Sequence, residues 1–132
     1  MFSRKKQPPI KSLIAQGMRI EGDVHFVEGL RIDGVVAGNI RAGAEQPSIL
    51  VISETARVEG MVHADHVIVN GQVIGTVHAA ELLELQPKAQ IEGDVHYKAL
   101  EMHQGGTIAG QLFPTSVLAE QKPPLELASS RQ

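Results

Sequence analysis

The sequence predicts an all-β protein: a single-stranded parallel β-helix, a solenoid of triangular cross-section and about five to six turns, flanked by disordered tails. Three observations predict it. The hexapeptide Ile-Glu-Gly-Asp-Val-His stands at 20–25, returns unchanged at 91–96, and has a near copy, Val-Glu-Gly-Met-Val-His, at 58–63. Apolar residues recur every six positions, as at Met18, Val24, Leu30 and Val36, then Leu50, Ala56 and Val62. Inside each hexad, apolar Ile20 and Val24 alternate with polar Glu21, Asp23 and His25, the period-two pattern of a strand with one buried face.

Residues 1–17 join the cations Arg4, Lys5 and Lys6 to Pro8-Pro9 and a closing Gly17, and read as a flexible arm. Within it, Leu13-Ile14-Ala15 is apolar enough to cover the first turn. The coil is expected over 18–113. Its long blocks begin at Met18, Ala56 and Ala89, and the longer first interval matches the Gly- and Pro-bounded insertion at 43–47. Each block carries a weaker internal echo, Ile32-Asp33-Gly34, Val69-Asn70-Gly71 and then Gly106. Three sides of six residues close a turn of about 17–18 residues, so two turns account for the long repeat. The hexapeptide recurs because the chain returns to one side of the coil and makes the same corner again. Gly22, Gly60 and Gly93 fall at that corner, where a Cβ is crowded or φ is positive. At about 4.8 Å per turn the rod is about 25–30 Å long. Residues 114–132 start at Pro114, contain a second Pro-Pro pair and read as a disordered tail.

Composition fits this coil. Apolar residues make up 42% of 132, enough for a core, but aromatics only 3%, so the core is aliphatic and largely β-branched. There is no Cys, which excludes disulfides and thiolate metal sites and fits a reducing compartment. Neither a spanning apolar run nor a secretory signal pattern is present. The net charge of −3 divides unevenly: residues 1–20 carry Arg4, Lys5, Lys6, Lys11 and Arg19 and no acid, a total of +5, so the remainder carries −8. A basic arm on an acidic body fits an anionic partner at the arm and offers no groove for nucleic acid.

Catalytic chemistry finds little support. His25, His63, His78 and His96 each follow a core Val and point outward, several of them in one ladder. Histidines on a solenoid can hold zinc, but repetition of the motif already explains these, so no metal and no cofactor is expected. His66 and His103 are isolated, exposed polar residues. Glu21, Glu59, Glu92, Asp23 and Asp94 form a solvated acidic stripe without a pocket. No nucleophile elbow, phosphate loop or dinucleotide fingerprint occurs, and no catalytic residue is assigned. The alternative is a hexapeptide-repeat acyltransferase or a metal-binding β-helix trimer. Against it, the hexads drift in phase at Val67 and again near Leu100.

The ends and the arm carry the functional expectation. A β-solenoid leaves unpaired backbone groups over an apolar disc at each end, a surface that recruits further strands. End-to-end association of copies is expected, with Met18 and Ile20 at one end and Leu112 and Phe113 at the other; Phe113 closes or joins a core there. Pro114 lacks an N–H and blocks extension by its own chain. A like-with-like joint gives a filament without polarity. In the arm, Met1 and Phe2 precede Arg4, Lys5 and Lys6, a pattern suited to an anionic membrane surface. Each cation contributes about 1 kcal/mol there and an inserted Phe about 1.5–3 kcal/mol, weak for one copy and firm for a polymer.

With these features in register, the sequence resembles the bactofilins, bacterial polymer-forming cytoskeletal proteins. The resemblance rests on the hexapeptides at 20–25, 58–63 and 91–96, the paired-glycine segments Asp33–Ile40 and Asn70–Val77, and short tails led by Met-Phe-Ser-Arg-Lys-Lys. It implies a right-handed coil, nucleotide-independent nonpolar filaments and attachment to the inner face of the cytoplasmic membrane. It further implies scaffolding of cell-wall enzymes, control of cell shape, and stalk or pole organisation.

Overall fold

The computed structural model describes residues 8–44 and 47–115. Fifteen strands follow in order: β1 (Ser12–Ile14), β2 (Arg19–Glu21), β3 (Val24–Phe26), β4 (Gly29–Ile32), β5 (Val35–Ala37), β6 (Ile40–Ala42), β7 (Ile49–Ile52), β8 (Arg57–Glu59), β9 (Val62–Val69), β10 (Gln72–Ile74), β11 (Val77–Leu85), β12 (Gln90–Glu92), β13 (Val95–Met102), β14 (Thr107–Ala109) and β15 (Leu112–Pro114). Every pairing among them is parallel.

Three sides result. The first is a six-stranded sheet ordered β2-β5-β8-β10-β12-β14. The other two share a nine-stranded sheet, because β9, β11 and β13 bend from the second side onto the third without a break. The coil makes about six turns. On the first side the inward residues Ile20, Val36, Val58, Val73, Ile91 and Ile108 stand in register, so turns occupy between 15 and 22 residues rather than a uniform 17–18. The longest contains the insertion after Ala42. The repeated hexapeptide lies on β2–β3, β8–β9 and β12–β13, on alternate turns, as a two-turn repeat requires.

Three details differ from the sequence reading. Most strands have three or four residues, not six, since the corners consume the remainder of each hexad. The coil also begins before residue 18: Ser12, Leu13 and Ile14 pair with Leu30, Arg31 and Ile32, and Ile14 is 5% exposed. Ile14 lies six residues before Ile20 and continues the inward column Ile32, Ile52, Val69 and Leu85, so hydrophobic burial draws this part of the arm into the first turn. At the other end β15 includes Pro114, whose missing N–H costs no ladder bond on a terminal strand. The third difference concerns the phase drift at Val67 and Leu100. Both β9 and β13 meet β11 with a register shift between Ala79 and Leu82, where β11 carries one extra residue. The drift is a bulge at the bend, not a loss of the repeat.

The core is one cluster of mostly aliphatic side chains, with Phe26 as its buried aromatic member. Ile32, Val36, Ile40, Leu50, Ile52, Val58, Val62, Val67, Val69, Val73, Val77, Leu83, Leu85 and Val95 are fully buried. Stacking each of these on its equivalent one turn away buries both, which suits residues of nearly equal volume.

Candidate assembly surfaces: the ends and outer columns of the coil

Burial along the inward columns falls at the ends. The second-side column Val24, Ile40, Val62, Val77, Val95, Leu112 is fully buried in its middle, half-buried at Val24 and 48% exposed at Leu112. On the third side Met102 continues Ile52, Val69 and Leu85 but is 49% exposed. Ile20 and Ile108, first and last on the first side, are half-buried. About half of each of two large inward side chains is therefore left without cover at the C-terminal end. Met102 went unnoticed in the sequence because its place in the column depends on the bulge in β11.

Two predicted end residues sit differently from expectation. Met18 precedes Ile20 at a corner whose equivalents are Gly34, Ala56, Gly71, Ala89 and Gly106, and it is 47% exposed rather than inward. Small residues turn this corner, and a Met side chain has no room inside it. Phe113 lies on the last turn but on the outer face, in register with His96, not in the core. The signal was available: each corner glycine is followed three residues later by the same outward column, and Phe113 follows Gly110 as His25 follows Gly22.

That corner is made by six glycines, Gly22, Gly38, Gly60, Gly75, Gly93 and Gly110. Three of them, Gly22, Gly60 and Gly93, were predicted; the others belong to the echo on the alternate turns. A Cβ on Gly60 or Gly93 would collide with the carbonyl of the glycine one turn below, Gly38 or Gly75. Both have positive φ, as does Gly22, which lies on the first turn and has open space beside it. Next to them, Asp23, Asn39 and Asp94 accept through Oδ1 the backbone N–H groups of Asn39, Met61 and Gln111. Asp23 and Asp94 are therefore structural acceptors rather than part of a free acidic stripe. Of the remaining acids, Glu21 pairs with Arg19 and Glu59 with Arg57 within their strands. These pairs are exposed and add little stability.

The outward column of the second side reads His25, Arg41, His63, His78, His96, Phe113. The predicted histidine ladder is thus present, with Arg41 and Phe113 as further members. His78 and His96 are stacked with ring centroids 4.4 Å apart and planes within 7°. His96 stacks on Phe113 at 4.7 Å, and His63 is tilted against His78 at 5.8 Å. Burial, and then the neighbouring charges of His96, His63 and Arg41, hold the His78 pKa below its usual value. His103 pairs with Glu84 instead of standing alone. No group of three or more His, Asp or Glu among the described residues is arranged to hold a metal ion. Met1, Phe2, Arg4, Lys5 and Lys6, the predicted membrane contacts, lie outside the described residues. No helix among the described residues is long and apolar enough to cross a membrane.

Comparison with known proteins agrees with this geometry. The family model for bactofilin, described as polymer-forming cytoskeletal, matches residues 12–112, nearly the limits of the coil. Bactofilin BacO of Myxococcus xanthus (strain DK1622) is 23% identical over 111 residues, covering 84% of this chain and 85% of that protein. A cryo-EM reconstruction of Thermus thermophilus bactofilin double helical filaments superposes with a TM-score of 0.67 at 26% identity, covering 77% of this chain and 97% of that one. With a six-turn parallel coil, open apolar ends and a family match across the whole of it, this chain belongs to the bactofilin family of polymer-forming cytoskeletal proteins.

Proposed function

We propose that this chain is a non-catalytic scaffold in the bacterial cytoplasm whose terminal turns join copies end to end. The filaments have no polarity, need no nucleotide and lie on the inner face of the cytoplasmic membrane. The observation that carries the reading is the loss of cover at the ends of columns that are fully buried in the middle, above all at Leu112 and Met102. A second copy laid on the same end would bury both residues and pair the open strand edges, and like-with-like contact removes polarity. Leu112, Met102 and Ile108 supply the apolar disc of one joint, with Phe113 at its rim; Ile20 and Met18 supply the other. Met1, Phe2, Arg4, Lys5 and Lys6 attach the polymer to anionic lipid through many weak contacts. The outer faces then present cell-wall or polar proteins with a repeated array, influencing cell shape.

Negative-stain microscopy of the purified protein without nucleotide tests assembly, and Leu112→Asp tests the joint. Filaments are expected for the natural chain and short rods for the variant, since an uncompensated carboxylate in an apolar contact is costly. A soluble trimer that binds zinc or coenzyme A would replace this reading with an enzymatic one. Removal of residues 1–6 should release the protein from vesicles containing anionic lipid while filaments persist; undiminished vesicle binding would defeat the anchor.

A further inference from the structure

We propose that the imidazole–phenyl stack of His63, His78, His96 and Phe113 is a proton-sensitive clasp on the last turn, which loosens the C-terminal end of the coil when acidification charges adjacent rings. The inference rests on the stack itself and not on filament formation or membrane binding.

The last strand has few ties. β15 pairs through three residues with Val95, His96 and Tyr97, and is the last strand among the described residues. Leu112, its inward residue, is 48% exposed, so burial gives it only part of the grip that holds Val77 or Val95. Its other ties include the Val95 N–H to the Gln111 carbonyl, Gln111 N–H to Asp94 Oδ1, Thr115 Oγ1 to the Tyr97 carbonyl, and Phe113 on the His96 ring. The stack is therefore one of the side-chain contacts that fix this strand.

Protonation acts against the stack by repulsion. Two neutral rings at 4.4 Å with parallel planes attract; two imidazolium ions at that distance repel at close range across a half-buried surface. The column already contains Arg41 and no carboxylate. Toward its edges stand Asp65 on β9 and Lys98 with Glu81 at the bend of β13 and β11, but Asp65 accepts the Ser48 N–H and Lys98 is paired with Glu81. Asp94 is engaged with Gln111. The His63 Nδ1 is buried without a hydrogen-bond partner. Charge on both rings of the His78–His96 pair breaks the stack.

The direction follows from linkage. The His78 pKa is lower in the folded chain than its ordinary value of about 6.5, so the unfolded or loosened form binds more protons. The contribution of the stack is complete above that value and is lost as pH falls below it.

Hydrogen exchange read by mass spectrometry on the full chain tests this at about pH 7.5 and pH 5.5, with labelling times corrected for intrinsic exchange. Protection of residues 107–114 should fall by about tenfold or more at the lower pH, while residues 57–74 change far less. His78→Phe should abolish the difference, because Phe113 shows that the column accepts a phenyl ring and phenyl takes no proton. His96→Phe is the second variant, with the same expectation, should the first fold poorly. Equal protection at both pH values overturns the proposal. So does a loss that spreads equally into residues 57–74, or one that persists in the phenylalanine variants.

Discussion

Gly75→Ala should damage the coil far more than Gly22→Ala, although both glycines turn the same corner with positive φ, +149° and +132°. At Gly22 a new Cβ meets nothing within 4 Å, so the cost is backbone strain alone, about 1–3 kcal/mol. At Gly75 the Cβ would lie 2.7 Å from the carbonyl carbon of Gly60 and closer still to its oxygen. Backbone cannot rotate away as a side chain can. Restoring ordinary contact with that oxygen means moving two turns apart by roughly 1 Å or more. That displacement pulls on the Gly60 N–H bond to Ile74 O, 3.0 Å, and the packing of every residue stacked across the same interval. Overpacking of this kind costs about 1–3 kcal/mol and a weakened backbone bond about 1 kcal/mol more. The difference between the variants is therefore about 2–4 kcal/mol, or roughly 10 °C or more in apparent Tm for a coil of this size. Circular dichroism melts at one protein concentration and one scan rate provide the comparison. Equal melting temperatures would show that the turns are not held by contact at the glycine corner.

Other perturbations give smaller or more local outcomes. Leu83→Ala removes a fully buried side chain from the central turns and should lower stability by about 2–5 kcal/mol in denaturant melts. Asp94→Ala leaves the Gln111 N–H without its carboxylate acceptor; about 1 kcal/mol should be lost, with hydrogen exchange rising first at the last turn. Arg57→Ala breaks an exposed pair with Glu59 and should move the melting midpoint by no more than about 1 kcal/mol in equivalent stability. Phe113→Arg should fold, since Arg41 already occupies the same column, yet prevent end-to-end joining visible in micrographs by placing a charge at the rim of the joint.

Much of the coil was legible because stacking writes the same chemistry at each turn. The hexapeptide at 20–25, 58–63 and 91–96 marks one side of alternate turns, and Gly22, Gly60 and Gly93 mark its corner. What escaped notice lay where sequence spacing and spatial register part company. The echo containing Gly38, Gly75 and Gly110 shares the corner but lacks the flanking Glu, and only its Gly75 copy keeps the His, as His78, so the strand pairing shows its equivalence more plainly than the letters do. Phe113 was misdirected for that reason: alignment to Gly110 turns it outward, whereas chemistry alone suggested the core. Ile14 was assigned to a flexible arm because prolines and cations precede it, yet one inward contact with Ile32 outweighs those local signals. Met102 was hidden by a one-residue bulge in β11, which no periodicity count anticipates.

The two-turn repeat has a consequence for size. Arg57–Ala89 is one full period: Ala56 and Ala89 occupy the same corner, and Val58 and Ile91 the same column. Splicing in a second copy of that segment would present every new residue with the neighbours it already has. The rod would lengthen by about 10 Å while both of its tips stayed chemically unchanged. In such a molecule, how long each monomer is and how it greets the next are separately heritable traits.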